Sequence, residues 1–99
     1  MKMYFIVYHA IPQPGSRNTK GIAGAYISCW IEATSMEQAD TIARQEVSTI
    51  KWGILERDDA YEINAESYST KSEGLEFYQQ ALVDKCVLRI HTYPIEELN

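Results

Sequence analysis

The chain has few basic residues, few cysteines and histidines, and no long apolar run. Nine lysines and arginines stand against fourteen aspartates and glutamates, which gives a net charge of −5. Proteins that bind nucleic acids obtain much of their affinity by neutralising phosphates with clustered basic side chains. The basic residues here are scattered, with no run of three. The composition therefore predicts that the protein does not bind DNA or RNA, and the excess of acids suits a basic protein partner.

The sequence also lacks a segment that would cross a membrane. A spanning helix needs about 20 consecutive apolar residues, and no run of that length occurs. The first residues, MKMYFIVYHA, are apolar but include Tyr4, Tyr8 and His9, and no small-residue cleavage site follows them. This segment predicts a β-strand rather than a signal peptide. We therefore expect a cytoplasmic protein without a membrane anchor.

Motifs for metals, cofactors and nucleophilic catalysis are missing as well. The two cysteines and two histidines, Cys29, Cys86, His9 and His91, match the composition of a zinc site but lie in four separate segments, without paired ligand spacing. No phosphate-binding loop, dinucleotide-binding glycine pattern or nucleophile elbow is present. We expect no metal, no cofactor and no catalytic cysteine. The two thiols are predicted to act as small buried apolar groups, and a disulfide between them is not implied.

What the chain does contain is enough apolar sequence for one folded domain. Apolar residues make up 45% of the 99 residues, so residues 1–99 are expected to form a single domain with its own core. Residues 3–11 are apolar on both faces and predict an interior strand. A polar loop follows at 12–21, and residues 22–33 alternate as a second strand.

The first helix has a start signal and an apolar stripe. Ser35 is predicted to be its N-cap, with Gln38 three residues later in a capping-box pattern. Apolar residues then recur at steps of three and four, which is the spacing of one helix face. They are Met36, Ala39, Ala43, Val47 and Ile50.

The second half of the chain predicts a hairpin, a helix and a last strand. Residues 51–68 suggest two strands with a tight turn at 57–59, although a loop after Asp58 is an alternative. Thr70 and Glu73 form a second capping-box pattern ahead of a helix whose apolar residues end at Cys86. Residues 87–93 alternate as a strand, and Pro94 ends it.

The predicted order is β-β-α-β-β-α-β, an α+β fold. From the second strand onward this order resembles the ferredoxin-like split βαβ sandwich, with an extra N-terminal strand placed in front. The resemblance implies an antiparallel sheet with both helices on one face. It concerns element order alone and implies no function.

One sheet face would then be open and aromatic. Ile27, Cys29 and Ile31 alternate with Tyr26 and Trp30, and the aliphatic set belongs beneath the helices. The opposite set from the second and last strands is predicted to be a binding surface. Its residues are Tyr26, Trp30, Arg89, His91 and Tyr93.

Several occupants fit such a surface. A second copy of the chain would make a homodimer, a different protein would use the aromatic residues as anchors, and a small molecule would need a cleft. RNA is disfavoured because the chain lacks an RNP-like motif and a basic excess. Ordinary cross-strand packing, or cover by the long loop or the polar C-terminal tail, is the structural alternative.

The sequence favours binding over catalysis. We expect a small non-enzymatic interaction protein, and its size and acidic charge suit an inhibitor or antidote of the immunity type for a basic partner such as a toxin or nuclease. The alternative is a small dimeric enzyme or ligand-binding protein that uses His91 with Glu32 or Tyr26 in a cleft on the open face. An antidote is expected to gather its acids into one patch, whereas an enzyme places polar groups in a concave pocket. The acids concerned are Asp58, Asp59, Glu62 and Glu66.

Overall fold

The computed structural model describes residues 1–67 and 73–95. Within them the chain forms one four-stranded antiparallel sheet and two α-helices, which confirms a compact α+β architecture. Thr70, and with it the second capping box, lies outside the described residues. In order along the chain, the elements are β1 (Lys2–Pro12), β2 (Ile22–Ala33), α1 (Met36–Thr49), β3 (Trp52–Ile63), a 3₁₀ turn (Ala65–Ser67), α2 (Glu73–Asp84) and β4 (Cys86–Pro94).

The sheet has the order β3-β1-β2-β4, with β1 inside it as the apolar pattern predicts. β1 pairs with β2 from Lys2 opposite Ala33 to Ala10 opposite Ala25, without interruption. β3 pairs along the other side of β1, and β4 pairs with β2. β3 and β4 are therefore the two edge strands.

The ferredoxin-like arrangement is not confirmed, because this strand order differs and residues 51–68 do not form a hairpin. Trp52–Ile63 is one long strand that pairs with β1 throughout. The register shifts twice, so that Asp58 and Leu55 are each left without a partner on β1. Residues 57–59, predicted to be a turn, instead contain a β-bulge. A bulge bends and twists an edge strand without reversing it.

Helix α1 packs on one face of the sheet, called here the first face. Ser35 accepts a hydrogen bond from the Gln38 backbone N–H at 3.1 Å, which confirms it as the N-cap. The Gln38 side chain accepts from the Thr34 backbone N–H at 2.7 Å instead of from Ser35. The helix buries Ala39, Ala43 and Val47, and these small side chains let it lie close to the strands.

Helix α2 packs on the opposite face, called here the second face, so the expectation of both helices on one face is wrong. Ala81 of α2 shares a cluster with Trp30, whereas the neighbouring Cys29 and Ile31 belong to the α1 cluster. Successive strand residues point to opposite faces, so the two helices sandwich the sheet. The chain path explains this, because α2 joins β3 to β4 at opposite edges while α1 already covers β1, β2 and β3 on the first face. In the part of the chain described, neither helix has the length and apolarity needed to cross a membrane.

A buried phenol ties α1 to the sheet. The fully buried Tyr8 of β1 donates a hydrogen bond of 2.5 Å to the Asp40 carboxylate on α1. Asp40 also accepts from Arg44 at 2.9 Å, and Arg57 of β3 lies 3.7 Å away. Burial and the Asp40 carboxylate both raise the pKa of Tyr8, so the phenol stays protonated. Burial by itself would raise the pKa of Asp40, but the hydrogen bonds from Tyr8 and Arg44 and the charges of Arg44 and Arg57 lower it overall.

Substituting Asp40→Asn should make stability depend less on pH. A carboxylate whose pKa is lower in the folded state contributes stability above its unfolded pKa, and this contribution is lost as pH falls through the folded value. We expect the wild type to exceed the variant in free energy of unfolding near pH 7, and the difference to shrink below about pH 4. Urea denaturation between pH 2.5 and 7 measures this difference in free energy, with Glu76→Gln as the control. A difference independent of pH would contradict the assignment.

Candidate functional site: an aromatic cluster on the second face

Helix α2 covers only one end of the second face. The covered end contains Met3, Phe5, Trp30, Ile63 and Val87, which pack against Phe77, Tyr78 and Ala81 of the helix. Toward the other end of the strands the same face carries His9 on β1, Tyr26 on β2 and Tyr93 on β4. We call these three residues the aromatic cluster. Tyr26 is 42% exposed, so the cluster is open to a partner or ligand.

Trp30 is not part of this open region. It is only 5% exposed, and its ring lies 5.0 Å from that of Phe5 and 4.9 Å from that of Phe77, between centroids. The expectation that Trp30 lies on a free surface therefore fails, because α2 lies on the second face. Trp30 is a core residue that fixes α2 to the sheet.

His9 is the centre of the aromatic cluster. Its Nε2 atom lies 2.6 Å from the Tyr93 hydroxyl. Its ring stacks on Tyr26 with a centroid distance of 4.7 Å and an interplanar angle of 14°. The two tyrosine rings are 6.1 Å apart. The sequence pattern does not mark His9 as a binding residue, because its position opposite Tyr26 follows from strand pairing, which the sequence does not reveal.

A glycine makes the His9–Tyr93 contact possible. Gly24 of β2 lies between β1 and β4, directly beneath the Tyr93 ring. A Cβ atom at this position would lie 2.6 Å from Tyr93 Cζ and 2.9 Å from the Ala10 carbonyl oxygen. The missing side chain therefore lets the Tyr93 phenol cross β2 and reach β1.

A carboxylate completes a chain of polar groups across the sheet. Glu56 of β3 places Oε1 3.9 Å from His9 Nδ1, on the side of the ring away from Tyr93. In the tautomer that carries its proton on Nδ1, Nε2 accepts a hydrogen bond from the Tyr93 hydroxyl. This arrangement fixes the imidazole and holds one proton between His9 and Tyr93. Glu56 is 66% exposed, so its interaction with His9 is weak.

The remaining predicted residues divide between the two ends of this face. His91 is exposed and lies opposite Tyr26, beside the aromatic cluster. Arg89 lies between the two ends, with its guanidinium 5.4 Å from the Phe77 ring centroid. Glu32 pairs instead with Lys85 at 3.2 Å and lies about 20 Å along β2 from Tyr26. The structure therefore brings Tyr26, His91 and Tyr93 together but separates Glu32 from them.

Acidic side chains run along the β3 edge next to the cluster. Glu56, Asp58, Asp59 and Glu62 are all exposed on this strand. Glu62 pairs with Lys2 at 3.3 Å. Glu56 and Asp59 lie opposite His9 and Val7, on the same face as the aromatic cluster, whereas Glu62 lies opposite Tyr4 on the first face. The acidic edge therefore adjoins the aromatic cluster at Glu56.

The two cysteines are free, and neither thiol is activated as a nucleophile. Burial raises the pKa of the Cys29 thiol well above its usual range. Burial and then the Glu46 charge raise the pKa of Cys86 to about 11. Both thiols stay protonated at neutral pH, which suits packing rather than nucleophilic attack. Within residues 1–67 and 73–95, no group of three His, Cys, Asp or Glu side chains is placed to hold a metal ion.

Comparison of the chain with known protein families, with curated proteins and with solved structures found no match. The chemistry available to the site therefore follows from its own side chains. It offers two phenols, two imidazoles and a carboxylate on one face of a regular sheet.

Substituting Trp30→Ala should lower the free energy of unfolding without changing the association state. Loss of a buried Trp leaves a cavity under α2 and costs about 3 to 5 kcal/mol. Chemical denaturation measures this loss, and light scattering behind size exclusion measures the mass. Tyr26→Ala is the matched control, because its exposed ring should contribute much less to stability. Equal stability of Trp30→Ala and the wild type would contradict the burial of Trp30.

Substituting Gly24→Ala should separate Tyr93 from His9. The added methyl group occupies the space of the phenol and also meets the Ala10 carbonyl, so we expect a loss of about 1 to 3 kcal/mol in stability. Nuclear Overhauser contacts between the Tyr93 and His9 rings should disappear. Tyr93→Phe keeps the ring and removes only the hydroxyl, so it should retain these contacts. Their persistence in Gly24→Ala would contradict the role of the glycine.

Proposed function

We propose that the protein acts by binding a basic protein partner, which covers the aromatic cluster and the acidic β3 edge. The observation that carries the proposal is the cluster of His9, Tyr26 and Tyr93, exposed beside α2 and joined through Glu56 to the acids of β3. An inhibitor or antidote of the immunity type, which blocks a basic toxin or nuclease, is the form of function that best suits this surface.

The aromatic cluster has the properties of a binding anchor. Tyrosines bury a large area and keep a polar hydroxyl, and they dominate many protein interfaces. The stacking of Tyr26 on His9 and the His9–Tyr93 hydrogen bond hold the rings in place before binding. Less side-chain entropy is then lost when a partner docks. His91 and Arg89 flank the cluster and add polar specificity.

The charge of the surface supports a basic partner. The chain carries −5 overall, and β3 carries four exposed acids against one basic residue, Arg57. Of the acids that would mark an antidote, Asp58, Asp59 and Glu62 lie on this edge, while Glu66 lies in the 3₁₀ turn that follows. A field of one sign accelerates association with an oppositely charged protein and fixes its orientation.

Catalysis is the second candidate, and the Glu56–His9–Tyr93 chain favours it. A carboxylate, an imidazole and a phenol in sequence resemble groups that relay a proton. The Tyr93 hydroxyl would exchange a proton with His9 Nε2, and Glu56 would stabilise the charged imidazole. In an enzyme, His9 and Tyr93 would be the acid–base pair, in place of the predicted combination of His91 and Glu32.

Binding is tested with an immobilised set of four forms of the protein. They are the wild type, Tyr26→Ala, the double variant Asp58→Asn and Asp59→Asn, and the control Glu37→Gln, which removes one acidic charge from α1. A partner retained by the wild type and the control should be basic, and calorimetry should then give at least about tenfold weaker binding for Tyr26→Ala. The double variant should bind more weakly and depend less on salt.

Three results would overturn the proposal. Retention of the partner by all four forms would place the interface elsewhere. A wild-type mass of two chains that falls to one in Tyr26→Ala would show that a second copy covers the cluster. An activity lost in His9→Gln and Tyr93→Phe but kept in Tyr26→Ala would favour the catalytic candidate.

A further inference from the structure

A cavity of about 560 Å³ lies on the first face, on the opposite side of the sheet from the aromatic cluster. It is bounded by the loop between β1 and β2, the carboxyl end of α1 and the first residue of β3. Its apolar wall consists of Ile50, Trp52 and Ile90, and Arg17 and Lys51 stand at its rim. We propose that this cavity binds a small carboxylate with an apolar body.

The loop at the cavity is held in place by hydrogen bonds to a single carbonyl. The Lys51 carbonyl oxygen accepts from the Gln13 backbone N–H at 2.8 Å and also from the Ser16 hydroxyl. Ser16 N–H in turn donates to the Gln13 carbonyl at 3.0 Å. The loop that carries Arg17 is thereby fixed to Lys51. The backbone segments that carry the two cations of the cavity are thereby held together, which lowers the entropic cost of placing both beside a ligand.

Backbone conformation places Lys51 at the rim. Lys51 has φ of 65°, the left-handed conformation that ends a helix, and Gly15 has φ of 95°. A Cβ atom at Gly15 would lie 3.7 Å from Lys51 Cγ, so the lysine stem runs beside the loop. The stem adds apolar surface, and its ammonium group stays at the solvent edge.

The charge of the cavity differs from that of the whole chain. Among the residues that line it, all within the described part, two are basic and none is acidic. In a protein with fourteen acids and nine basic residues, this is a local reversal of sign that favours an anion. An arginine fork is suited to the two oxygens of a carboxylate.

The position of α1 limits the charge of the anion. The carboxyl end of the helix, at Thr49 and Ile50, borders the cavity and carries a partial negative charge. This partial charge offsets part of the field of Arg17 and Lys51, so a monoanion fits better than a phosphate dianion. Ile90 is 40% exposed, and it contacts the apolar body together with the part of Trp52 that lines the cavity. The cavity volume falls within the usual range for small-molecule sites.

The test is a titration of the ¹⁵N-labelled protein with 3-phenylpropanoate and octanoate, monitored by amide chemical shifts. We expect at least one of them to give saturable shifts at Gly15, Lys51 and Trp52 with Kd of about 1 mM or below. The neutral 3-phenylpropanamide or octanamide of the same shape should bind at least about tenfold more weakly than its acid. Inorganic phosphate should bind more weakly than the better carboxylate.

Variants separate this site from general charge effects. Arg17→Gln and Lys51→Gln should each weaken carboxylate binding by about tenfold, whereas Lys20→Gln, on the same loop but outside the cavity lining, should not. All three side chains are exposed, so the fold should be retained. The proposal is overturned if neither carboxylate saturates, if the amides bind as well as the acids, if Lys20→Gln weakens binding equally, or if the shifts centre on His9 and Tyr26.

Discussion

The structure depends on burying both faces of β1 at once. Ile6 and Tyr8 face the α1 core without any exposure, and Met3 faces the α2 cluster with 3% exposed. A strand that is apolar on both sides is stable only inside a sheet with a layer on each face. β2 and β3 cover its two edges, and one helix covers each face. The positions of the two helices, and so the parts of the sheet left open, follow from this requirement.

The two helices bury the two faces of β1 in different ways. α1 approaches the strands closely through Ala39 and Ala43, and the Tyr8–Asp40 hydrogen bond joins it to the sheet. α2 uses large aromatic contacts around Trp30 and occupies one end of the second face. A 12-residue helix is about 18 Å long, whereas β1 and β2 span more than about 30 Å, so α2 leaves part of the second face uncovered. The aromatic cluster occupies the uncovered part.

The proposed protein surface and the proposed carboxylate site differ in face and in charge. The aromatic cluster adjoins the acidic β3 edge, where the bulges at Asp58 and Leu55 interrupt the regular strand and so protect it from edge pairing. The cavity on the first face is bordered by Arg17 and Lys51. Under these two proposals, a single chain presents a negative surface to a large partner and a positive, apolar recess to a small ligand. The sheet separates them, so each can be altered without touching the other.

The sequence by itself determined the elements that depend on local periodicity. The two apolar faces of β1, the alternation in β2 and β4, the Ser35 cap and the α1 stripe are short-range patterns, and the structure confirms them. The sequence also placed Tyr26, His91 and Tyr93 on one face of their strands. Only the tertiary structure decided that residues 52–63 form one bulged strand, that α2 lies opposite α1, and that Trp30 is therefore buried. It alone brought His9 to Tyr93, because that contact needs three strands in register and the absence of a side chain at Gly24. The strand order and the face on which each helix packs follow from how the chain crosses the sheet. These long-range features leave no periodic signal in the sequence.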